Sequence, residues 1–541
     1  MNNRLKSPAV WLPLAMAASL VGGMWIGSSF FGRSDSDEGL GKLGKVIELI
    51  KNNYVDEIDT DSLVEMSLAD IIAGLDPHSV YIPKSDLQSV NEELEGSFSG
   101  IGISFNLIGD TINVLEVISG GPSENVGLQA GDRIVTINDS VVAGKGWSDV
   151  KVRSSLRGEK GTVVKVGIRR ATSPDLIPFE ITRGDIPVTS IDASYMIGED
   201  IGYVKVNKFG ASTYKEFFTS LVDLKFKGAK SYIIDLRGNT GGFMENAVMM
   251  VNEFLPADLP IVSMKGEHTP EQPPLGSDGR GNFQEDRVVV LLDEYSASAS
   301  EIFAGAIQDN DRGLIIGRRS FGKGLVQNQI PLADSSAVRL TVARYYTPSG
   351  RCIQKNYAPG SDYERDILNR FEHGEFFNAD SIRQNTSLAF STLNGRTVYG
   401  GGGIMPDIFV PNDTTGITTY YLNVMNRGLL NKFTFEYADH NRERLKGAKT
   451  SEELVALLPD DDSLLQEFVE YARRNGVAPR WYYINISHDL LVNSLKAMIS
   501  RNLLGVPGYF EVWNQSDPTV LRAVSALRGD ETAFPIMPAR D

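Results

Sequence analysis

The sequence predicts a multidomain α+β protein, and three changes of pattern along the chain support that fold class. Residues 40–94 repeat apolar side chains at helical spacing, and residues 98–171 change to short strands separated by glycine turns. From residue 201 to residue 411 strands alternate with helices, which is typical of an α/β core with buried strands. Helical patterns return after that point. At 541 residues the chain is also too long for a single core.

Composition and charge exclude several classes of protein. The net charge is −16 and the isoelectric point is near 5.0, and no long basic run offsets this, so nucleic acid is not an expected partner. One cysteine, Cys352, permits no intrachain disulfide, and we interpret it as a small buried side chain. No histidine lies in a context typical of a catalytic triad. The five histidines are His78, His268, His373, His440 and His488.

An uncharged segment near the N-terminus, Ala9–Phe31, predicts a membrane anchor. In a helix, a segment of this length would cross a hydrocarbon core of about 30 Å. Arg4 and Lys6 precede it and acidic residues follow it, which places the N-terminus in the cytoplasm and the rest of the chain outside. A cleaved signal peptide is the alternative, although the segment is long for one and no clear A-x-A site ends it.

The stretch GRRSFGKGLVQ, residues 317–327, nearly matches a phosphate-binding loop. Gly317, Gly322 and Lys323 occupy the expected places, but Gly324 replaces the Ser or Thr that would bind magnesium. The residues that follow alternate in polarity and include Pro331, which predicts a strand. A phosphate loop needs a helix N-terminus at this point. We therefore expect a different role for Lys323 and keep nucleotide binding as an alternative.

The stretch SASASE, residues 296–301, follows the apolar strand 288–292 and begins a helix. Ser300, with Glu301 beside it, fits a helix cap, but three serines that alternate with alanines exceed what capping needs. A serine nucleophile needs a base, and a lysine serves when burial keeps its amine neutral. Lys323, between two glycines and beside Phe321, fits that requirement. The pattern alone does not decide which serine would react.

The stretch SGIGISF, residues 99–105, indicates a peptide-binding site. Successive backbone N–H groups in such a glycine turn form an anion nest, and a strand edge beside a helix accepts an extended peptide. With GLQAGDRI, residues 127–134, this segment resembles a PDZ domain. The resemblance implies that Gly100, Ile101, Gly102 and Ile103 hold the C-terminal carboxylate of a peptide. A PDZ-like fold used only for packing within the chain is the alternative.

Five motifs, in order along the chain and combined with the PDZ-like segment, resemble the carboxy-terminal processing proteases of peptidase family S41. They are DLRGNTGG (235–242), SASASE (296–301), FGKGLVQ (321–327), RYYTPSGR (344–351) and GGGIMPD (401–407). The resemblance implies a serine endopeptidase with a Ser–Lys catalytic pair on a crotonase/ClpP-like ββα-superhelix core. It implies no metal and no organic cofactor.

The same resemblance assigns roles to individual residues. Ser298 is the implied nucleophile, Lys323 the general base and Gln327 the side chain that orients the lysine. The backbone N–H of Ala299 and one N–H of the Gly241–Gly242 turn would form the oxyanion hole. Thr240 stands where the family often has proline, which leaves open which of the two glycines contributes.

We divide the chain accordingly into six parts. They are a cytoplasmic tail (1–8), a transmembrane anchor (9–31), an N-terminal helical region (32–97), a PDZ domain (98–172), a protease core (173–411) with an insertion at about 355–397, and a C-terminal helical domain (412–541). The expected partners are proteins or peptides with exposed apolar C-termini, the membrane through the anchor, and a second copy in a homodimer. The expected location is the bacterial inner membrane with the catalytic part in the periplasm, or the soluble periplasm if a signal peptide is cleaved.

Two further alternatives differ in chemistry. The first is a PDZ adaptor on an inactive protease core, against which the presence of Ser298, Lys323 and Gln327 argues. The second is a Ser–His hydrolase, which would require one of the five histidines to act as the base.

Overall fold

The computed structural model describes residues 37–170, 173–270, 273–358 and 361–529. The predicted anchor, Ala9–Phe31, lies outside these residues. Within the described ranges, no helix combines the length and the apolar character needed to cross a membrane. The chain divides between Leu75 and Asp76 into two compact units. The described part of the first unit contains the helices α1 (Asp37–Asn53) and α2 (Thr60–Ala73).

The second unit begins with a turn, a short strand and a helix that lead into the predicted PDZ segment. These elements are β1 (Val80–Ile82), α3 (Lys84–Glu95) and β2 (Ser97–Gly100). The PDZ segment then contains β3 (Ile103–Ile108), β4 (Thr111–Val117), α4 (Pro122–Asn125), β5 (Arg133–Ile137), β6 (Ser140–Val141), α5 (Asp149–Leu156), β7 (Val163–Arg169), β8 (Ile177–Thr182) and β9 (Gly184–Pro187). Its antiparallel sheet has the order β3-β4-β5-β7-β8, with β6 on β5, so β3 is an edge strand.

The central core follows the alternation of strands and helices that the sequence predicts. In chain order its elements are β10 (Ile191–Ile197), β11 (Ile201–Val206), α6 (Thr213–Phe226), β12 (Ser231–Asp235), α7 (Met244–Asn252), β13 (Pro260–Lys265), β14 (Leu275–Gly276), β15 (Arg287–Leu292), α8 (Ala299–Asp309), β16 (Leu314–Gly317), β17 (Leu325–Pro331) and β18 (Ala337–Tyr346). β11 and β12 are buried along their whole length because helices cover the sheet. A strand, not a helix, follows Lys323, as predicted.

The segment 355–397 folds into short elements. They are α9 (Asp366–Glu372), two 3₁₀ turns at Ala379–Ser381 and Thr386–Leu388, and the hairpin β19 (Ala389–Ser391) and β20 (Thr397–Tyr399). The strand β21 (Ile408–Phe409) follows. The polar stretch 265–284 has the composition of an exposed loop, but Phe283 within it is buried in the central core. Because the residues around Phe283 are polar, the sequence pattern does not indicate that this side chain is buried.

Two sheets form the central core and meet at the motifs. The first has the order β10-β11-β12-β15-β16-β21 and is parallel except for the β10–β11 pair. The second is antiparallel, with the order β1-β18-β13-β14 and β17 on β18. The pairing of β1 with β18 brings the turn before β1 to the strands that follow Lys323.

The C-terminal region is helical, as predicted. Its helices are α10 (Thr419–Asn426), α11 (Leu429–His440), α12 (Arg442–Leu445), α13 (Ser451–Ala456), α14 (Asp461–Arg474), α15 (Trp481–Ile486), α16 (His488–Trp513) and α17 (Pro518–Arg528). Gly505 interrupts α16 with φ 75° and ψ −168°. The apolar side chains of α17 pack on the strands of the first sheet, in one cluster with Ile233, Val289 and Ile316. The last helix therefore completes the central core.

Candidate active site

Ser298 lies on a sharp turn between a buried strand and a buried helix. The strand β15 ends at Leu292, α8 begins at Ala299, and Ser298 between them has φ 57° and ψ −115°. A residue other than glycine holds a positive φ only when its surroundings compensate a strain of about 1–3 kcal/mol. Every residue of α8 is buried, so the helix that follows is fixed in the core.

The three serines of SASASE have different environments. Ser296 and Ser300 are fully buried, and their hydroxyls donate to the backbone carbonyls of Leu236 and Asn239, each over 2.9 Å. Ser298 is only half-buried, and its side chain forms the capping box of α8 with Glu301 instead of a hydrogen bond to a buried carbonyl. The N-cap of α8 is Ser298 and not Ser300, because the helix begins at Ala299, two residues earlier than a cap at Ser300 would place its start. Ser298 is therefore the serine whose hydroxyl is available to a ligand.

Glu301 joins the serine turn to the lysine loop. Its carboxylate is fully buried and accepts the backbone N–H groups of Ser298 (2.9 Å), Gly322 (2.7 Å) and Lys323 (2.8 Å), and the hydroxyl of Ser320. Burial raises the pKa of Glu301, and these hydrogen bonds oppose the shift. The carboxylate therefore fixes the two motifs relative to each other.

Tyr345 makes a second connection between the same two residues. Its buried hydroxyl lies within donor distance of the carbonyl oxygens of Lys323 (2.8 Å) and Ser298 (3.1 Å). Tyr345 belongs to the motif RYYTPSGR and lies on β18. The backbones of Ser298 and Lys323 are thus held at both their N–H and their C=O groups.

The lysine side chain is half-buried between two closely packed glycines. A Cβ at Gly322, where φ is +89°, would lie 3.1 Å from the Gly403 nitrogen, so a larger residue would force the loop apart. Burial, and then the charge of Arg339, lowers the pKa of Lys323 from its ordinary value of 10.5, whereas Glu301 and Asp76 oppose the shift. The amine donates to Gln327 Oε1 over 3.2 Å. This environment favours a neutral amine.

Gln327 is held in turn by His78, a contact that the sequence does not predict. Gln327 Nε2 donates to the backbone carbonyl of His78. The sequence does indicate the turn itself: Asp76 accepts the N–H groups of His78 (2.8 Å) and Ser79 (2.9 Å). Thr341 of β18 also donates to Asp76, which ties the turn to the sheet. His78 thus belongs to a turn held by Asp76, and its carbonyl also supports the lysine pair.

The glycine turn of DLRGNTGG lies against Ser298. A Cβ at Gly241 would lie 2.7 Å from Ser298 Cβ, so only glycine fits there. The Gly241 N–H donates to Asn239 Oδ1 over 2.9 Å. Gly242 is exposed, and within the described ranges its N–H and that of Ala299 donate to no protein acceptor. Those two N–H groups are therefore available to a bound oxyanion.

The predicted peptide-binding residues lie at the start of the edge strand β3. Gly100 ends β2, Ile103 begins β3, and Ile101 between them is buried. The carbonyls of Ile101 and Gly102 accept the N–H groups of Ser123 (2.9 Å) and Ile118 (3.0 Å). These hydrogen bonds fix the backbone of the turn between β2 and β3.

The helix α5 lies beside the same edge. The guanidinium of Arg153 on α5 lies 5.4 Å from the centre of the Phe105 ring on β3. An edge strand with a neighbouring helix is the arrangement that accepts an added peptide strand. In the part of the chain that the structure describes, no group of three or more His, Cys, Asp or Glu side chains is arranged to hold a metal ion.

Comparisons with known proteins match three parts of the chain. Residues 200–364 match the model of peptidase family S41, and residues 99–177 match that of the PDZ domain. Residues 420–505 match a family of unknown function. The first two matches contain the serine turn, the lysine loop and the edge strand β3.

Individual relatives extend the similarity. Carboxy-terminal processing protease CtpA of Bacillus subtilis is 34% identical over 365 residues, which cover 66% of this chain and 76% of the relative. A carboxy-terminal-processing protease of Bartonella bacilliformis is 33% identical over 319 residues, 58% of this chain and 72% of the relative. A solved photosystem II D1 C-terminal processing protease is 28% identical, covers 59% of this chain and 85% of that chain, and has a TM-score of 0.33.

Proposed function

The chain belongs to the carboxy-terminal processing proteases of peptidase family S41, and from that premise we propose that Ser298 and Lys323 form its catalytic pair. It is a serine peptidase with a PDZ domain. One observation carries the assignment of the pair. The buried Glu301 carboxylate accepts the backbone N–H groups of both residues, while the Ser298 side chain is only half-buried and burial lowers the pKa of the Lys323 amine.

The proposed reaction has two stages. Ser298 Oγ attacks the scissile carbonyl carbon while the neutral amine of Lys323 takes the hydroxyl proton. The tetrahedral intermediate then collapses, Lys323 returns that proton to the leaving amine, and an acyl-enzyme ester remains. Water next attacks the ester and gives its proton to Lys323. Release of the carboxylic acid product returns the proton to Ser298.

The oxyanion of each intermediate would accept hydrogen bonds from two backbone N–H groups, those of Ala299 and Gly242. Donors of this kind commonly stabilise the intermediate by about 3–4 kcal/mol each. We prefer Gly242 to Gly241 because the Gly241 N–H already donates to Asn239. The Gln327 side chain keeps the lysine amine directed toward Ser298.

The PDZ domain would bind the C-terminus of a protein substrate. The carboxylate would accept N–H groups of the turn at Gly100–Ile103, and the preceding residues would add as a strand to β3. An apolar last side chain would enter the domain core beside Ile101. Binding at this site would hold the substrate while a bond elsewhere in its chain is cleaved.

We further propose that the protease is anchored in the bacterial inner membrane with its catalytic part in the periplasm. The support is the uncharged segment Ala9–Phe31 and the charge asymmetry that flanks it. Cleavage of the segment would leave a soluble periplasmic enzyme. Carbonate extraction of bacterial membranes distinguishes the two, because an anchored protein stays in the membrane pellet.

The catalytic pair is tested with full-length protein in detergent and an unfolded substrate that ends in apolar residues. Ser298→Ala and Lys323→Ala should each lower kcat at least about 10³-fold, since the nucleophile and its base act as a unit. Lys323→Arg should be equally inactive, because a guanidinium stays protonated. If Ser298→Ala or Lys323→Ala cleaves at the wild-type rate, the assignment is wrong.

A further inference from the structure

The segment 355–397 is fixed to the loop that carries Lys323. The buried guanidinium of Arg370 donates to the backbone carbonyls of Ser320 (3.0 Å) and Arg319 (2.6 Å). Arg319 and Arg370 both pair with Glu375, over 2.6 and 2.9 Å. Buried pairs of this kind cost several kcal/mol to break when one partner is removed. The segment is therefore a rigid neighbour of the lysine loop.

Tyr363 projects from this segment onto the turn that supports Gln327. Its hydroxyl oxygen lies 2.6 Å from His78 Nε2. Its ring lies edge-on to the His78 ring, at 5.4 Å between centroids, and to the Phe321 ring, at 6.1 Å. Next to this segment, Gln354 Oε1 accepts the Gly324 N–H of the lysine loop over 2.8 Å.

Lys355 holds the Tyr363 ring in place. Its ammonium lies 3.8 Å from the centre of the Phe321 ring and 4.1 Å from that of Tyr363. It also pairs with Asp366 over 3.3 Å. A partly desolvated cation between two aromatic rings is attracted by about 1–2 kcal/mol. The Tyr363 ring therefore contacts Lys355 as well as the rings of His78 and Phe321.

The His78 ring is neutral at physiological pH. Burial, and then Lys323 in its protonated form, lowers the pKa of His78 to about 4; the charge of Lys355 acts in the same direction, and Asp76 opposes it. Tyr363 also contacts the ring, and burial raises the pKa of its hydroxyl, which therefore stays protonated. A neutral ring nitrogen accepts a hydrogen bond from that hydroxyl.

We propose that Tyr363 is a positioning residue for the catalytic lysine and acts through His78 and Gln327. The Tyr363 hydroxyl fixes the His78 ring, the His78 carbonyl fixes Gln327 Nε2, and Gln327 Oε1 fixes the Lys323 amine. This inference rests on the proposed function, in which Lys323 is the base. It gives the segment 355–397 a role in the reaction, because its removal would release the support of Gln327.

The first test replaces the hydroxyl and keeps the ring. Tyr363→Phe should lower kcat about tenfold, the factor expected for one buried hydrogen bond, and leave KM within about twofold. Looser packing would admit water to Lys323, so the acid limb of the pH profile of kcat/KM should move to higher pH. Tyr214→Phe is the matched control, since it removes a hydroxyl that bonds to Glu253 over 2.8 Å in another part of the core.

The second test changes the histidine. His78→Ala should match the Tyr363→Phe result, whereas His78→Gln keeps an amide acceptor near Nε2 and should recover most of the wild-type kcat. A glutamine cannot act as a base. If His78→Gln is folded by thermal melting and as inactive as Lys323→Ala, His78 takes part in proton transfer and the positioning role is overturned.

The reference variants separate this inference from the proposed function. If Ser298→Ala and Lys323→Ala are inactive while Tyr363→Phe and His78→Ala retain the wild-type kcat and pH profile, Tyr363 has no positioning role and the catalytic pair stands. If Lys323→Ala is active, the catalytic pair is wrong, and the inference falls with it.

Discussion

Ser298 and Lys323 donate their backbone N–H groups to the same atom, Glu301 Oε2, over 2.9 and 2.8 Å. They are 25 positions apart in the sequence and belong to different elements. A shared acceptor couples the strained turn before α8 to the loop before β17, so neither moves without the other. The hydroxyl of Tyr345 connects their carbonyl groups in the same way.

Glu301→Gln should therefore damage both stability and activity. The carboxylate accepts four donors, whereas an amide offers one oxygen and directs two N–H groups at the remaining donors. We expect a loss of about 3 kcal/mol in the free energy of unfolding, since two or more buried donors lose their acceptor. We also expect kcat to fall at least about tenfold.

The measurements are urea unfolding and initial rates on one unfolded substrate. Glu199→Gln, at an exposed position, is the control and should change stability by less than about 0.5 kcal/mol. A Glu301→Gln protein with the wild-type unfolding midpoint and rate would show that the shared carboxylate does not organise the site.

The pH dependence of kcat/KM should reveal a base with a lowered pKa. Only the unprotonated amine accepts a proton, so activity is lost as pH falls through the Lys323 pKa and gained as pH rises through it. Because burial lowers that pKa, the limb should lie below pH 10.5. The profile is measured from pH 5 to 10 on wild type. A profile that still rises with full slope at pH 10, without approaching a plateau, would contradict a dry, buried amine.

Alanine substitutions at the three serines should separate chemistry from packing. Ser298→Ala should abolish activity and destabilise the fold by no more than about 1 kcal/mol, because its half-buried side chain contributes only to the cap of α8. Ser296→Ala and Ser300→Ala should each destabilise the fold by about 0.5–1.5 kcal/mol, since each removes a buried hydrogen bond to a backbone carbonyl. Equal effects of all three on activity, with no difference in stability, would contradict the assignment of Ser298.

The sequence predicts the central strands well because their apolar runs are local signals. β12, β15 and β16 are continuous runs of apolar residues bounded by turns, and the helices between them have one apolar face. β13 was not predicted, because it is a short, partly polar strand that pairs with β18 about eighty positions later. Such pairing depends on tertiary contacts and leaves little trace in local pattern.

The sequence predicts some contacts of the candidate site and misses others. Lys323 and Gln327 are four positions apart, and the predicted contact between them is present. The contact from Gln327 to His78 joins residues 249 positions apart, and no local pattern indicates it. Ser296 and Ser300 donate their hydroxyls to the carbonyls of Leu236 and Asn239, about sixty positions earlier in the chain. Because these contacts are distant in sequence, the motif alone does not show that Ser298 is the serine with the available hydroxyl. All three serines of SASASE lie next to alanine, so the local sequence does not distinguish them.

Peptide binding to the PDZ domain should require a free C-terminal carboxylate. A peptide with an apolar last residue should bind at least about tenfold more tightly than its C-terminal amide, because the amide carries no charge for the anion nest at Gly100–Ile103. Fluorescence anisotropy with Ser298→Ala protein prevents cleavage during the measurement. A reversed-sequence peptide of the same composition is the control. Equal affinity of acid and amide would contradict the proposed carboxylate site.

Asp235, the last residue of β12, lies in a buried network of charged side chains, and the stability of the protein should depend on it. Its carboxylate is fully buried and accepts Tyr203 (2.7 Å), Lys205 (3.3 Å) and Arg237 (2.7 Å). Arg237 also pairs with Asp517, the N-cap of α17, over 2.9 Å. Asp235→Asn removes the buried anion that Lys205 and Arg237 share and leaves Arg237 with Asp517 alone, so we expect a loss of about 3–5 kcal/mol at pH 7.

The sign of the pH effect follows from the direction of the pKa shift. Burial opposes ionisation, yet Arg237 and Lys205 hold the pKa of Asp235 well below its ordinary value of 3.8. A lowered pKa in the folded state stabilises the protein above the unfolded value, and that stability is lost as pH falls through the folded value. The difference in free energy of unfolding between wild type and Asp235→Asn should therefore shrink below about pH 4.

Urea unfolding at pH 7 and pH 3 measures this difference. Asp223→Asn, at an exposed position, is the control and should show a difference near zero at both pH values. A difference for Asp235→Asn that stays constant or grows in acid would mean that the carboxylate does not carry its charge in the folded protein. The ion pair of Arg237 with Asp517 would then hold α17 to the sheet, and Asp235 would contribute neutral hydrogen bonds alone.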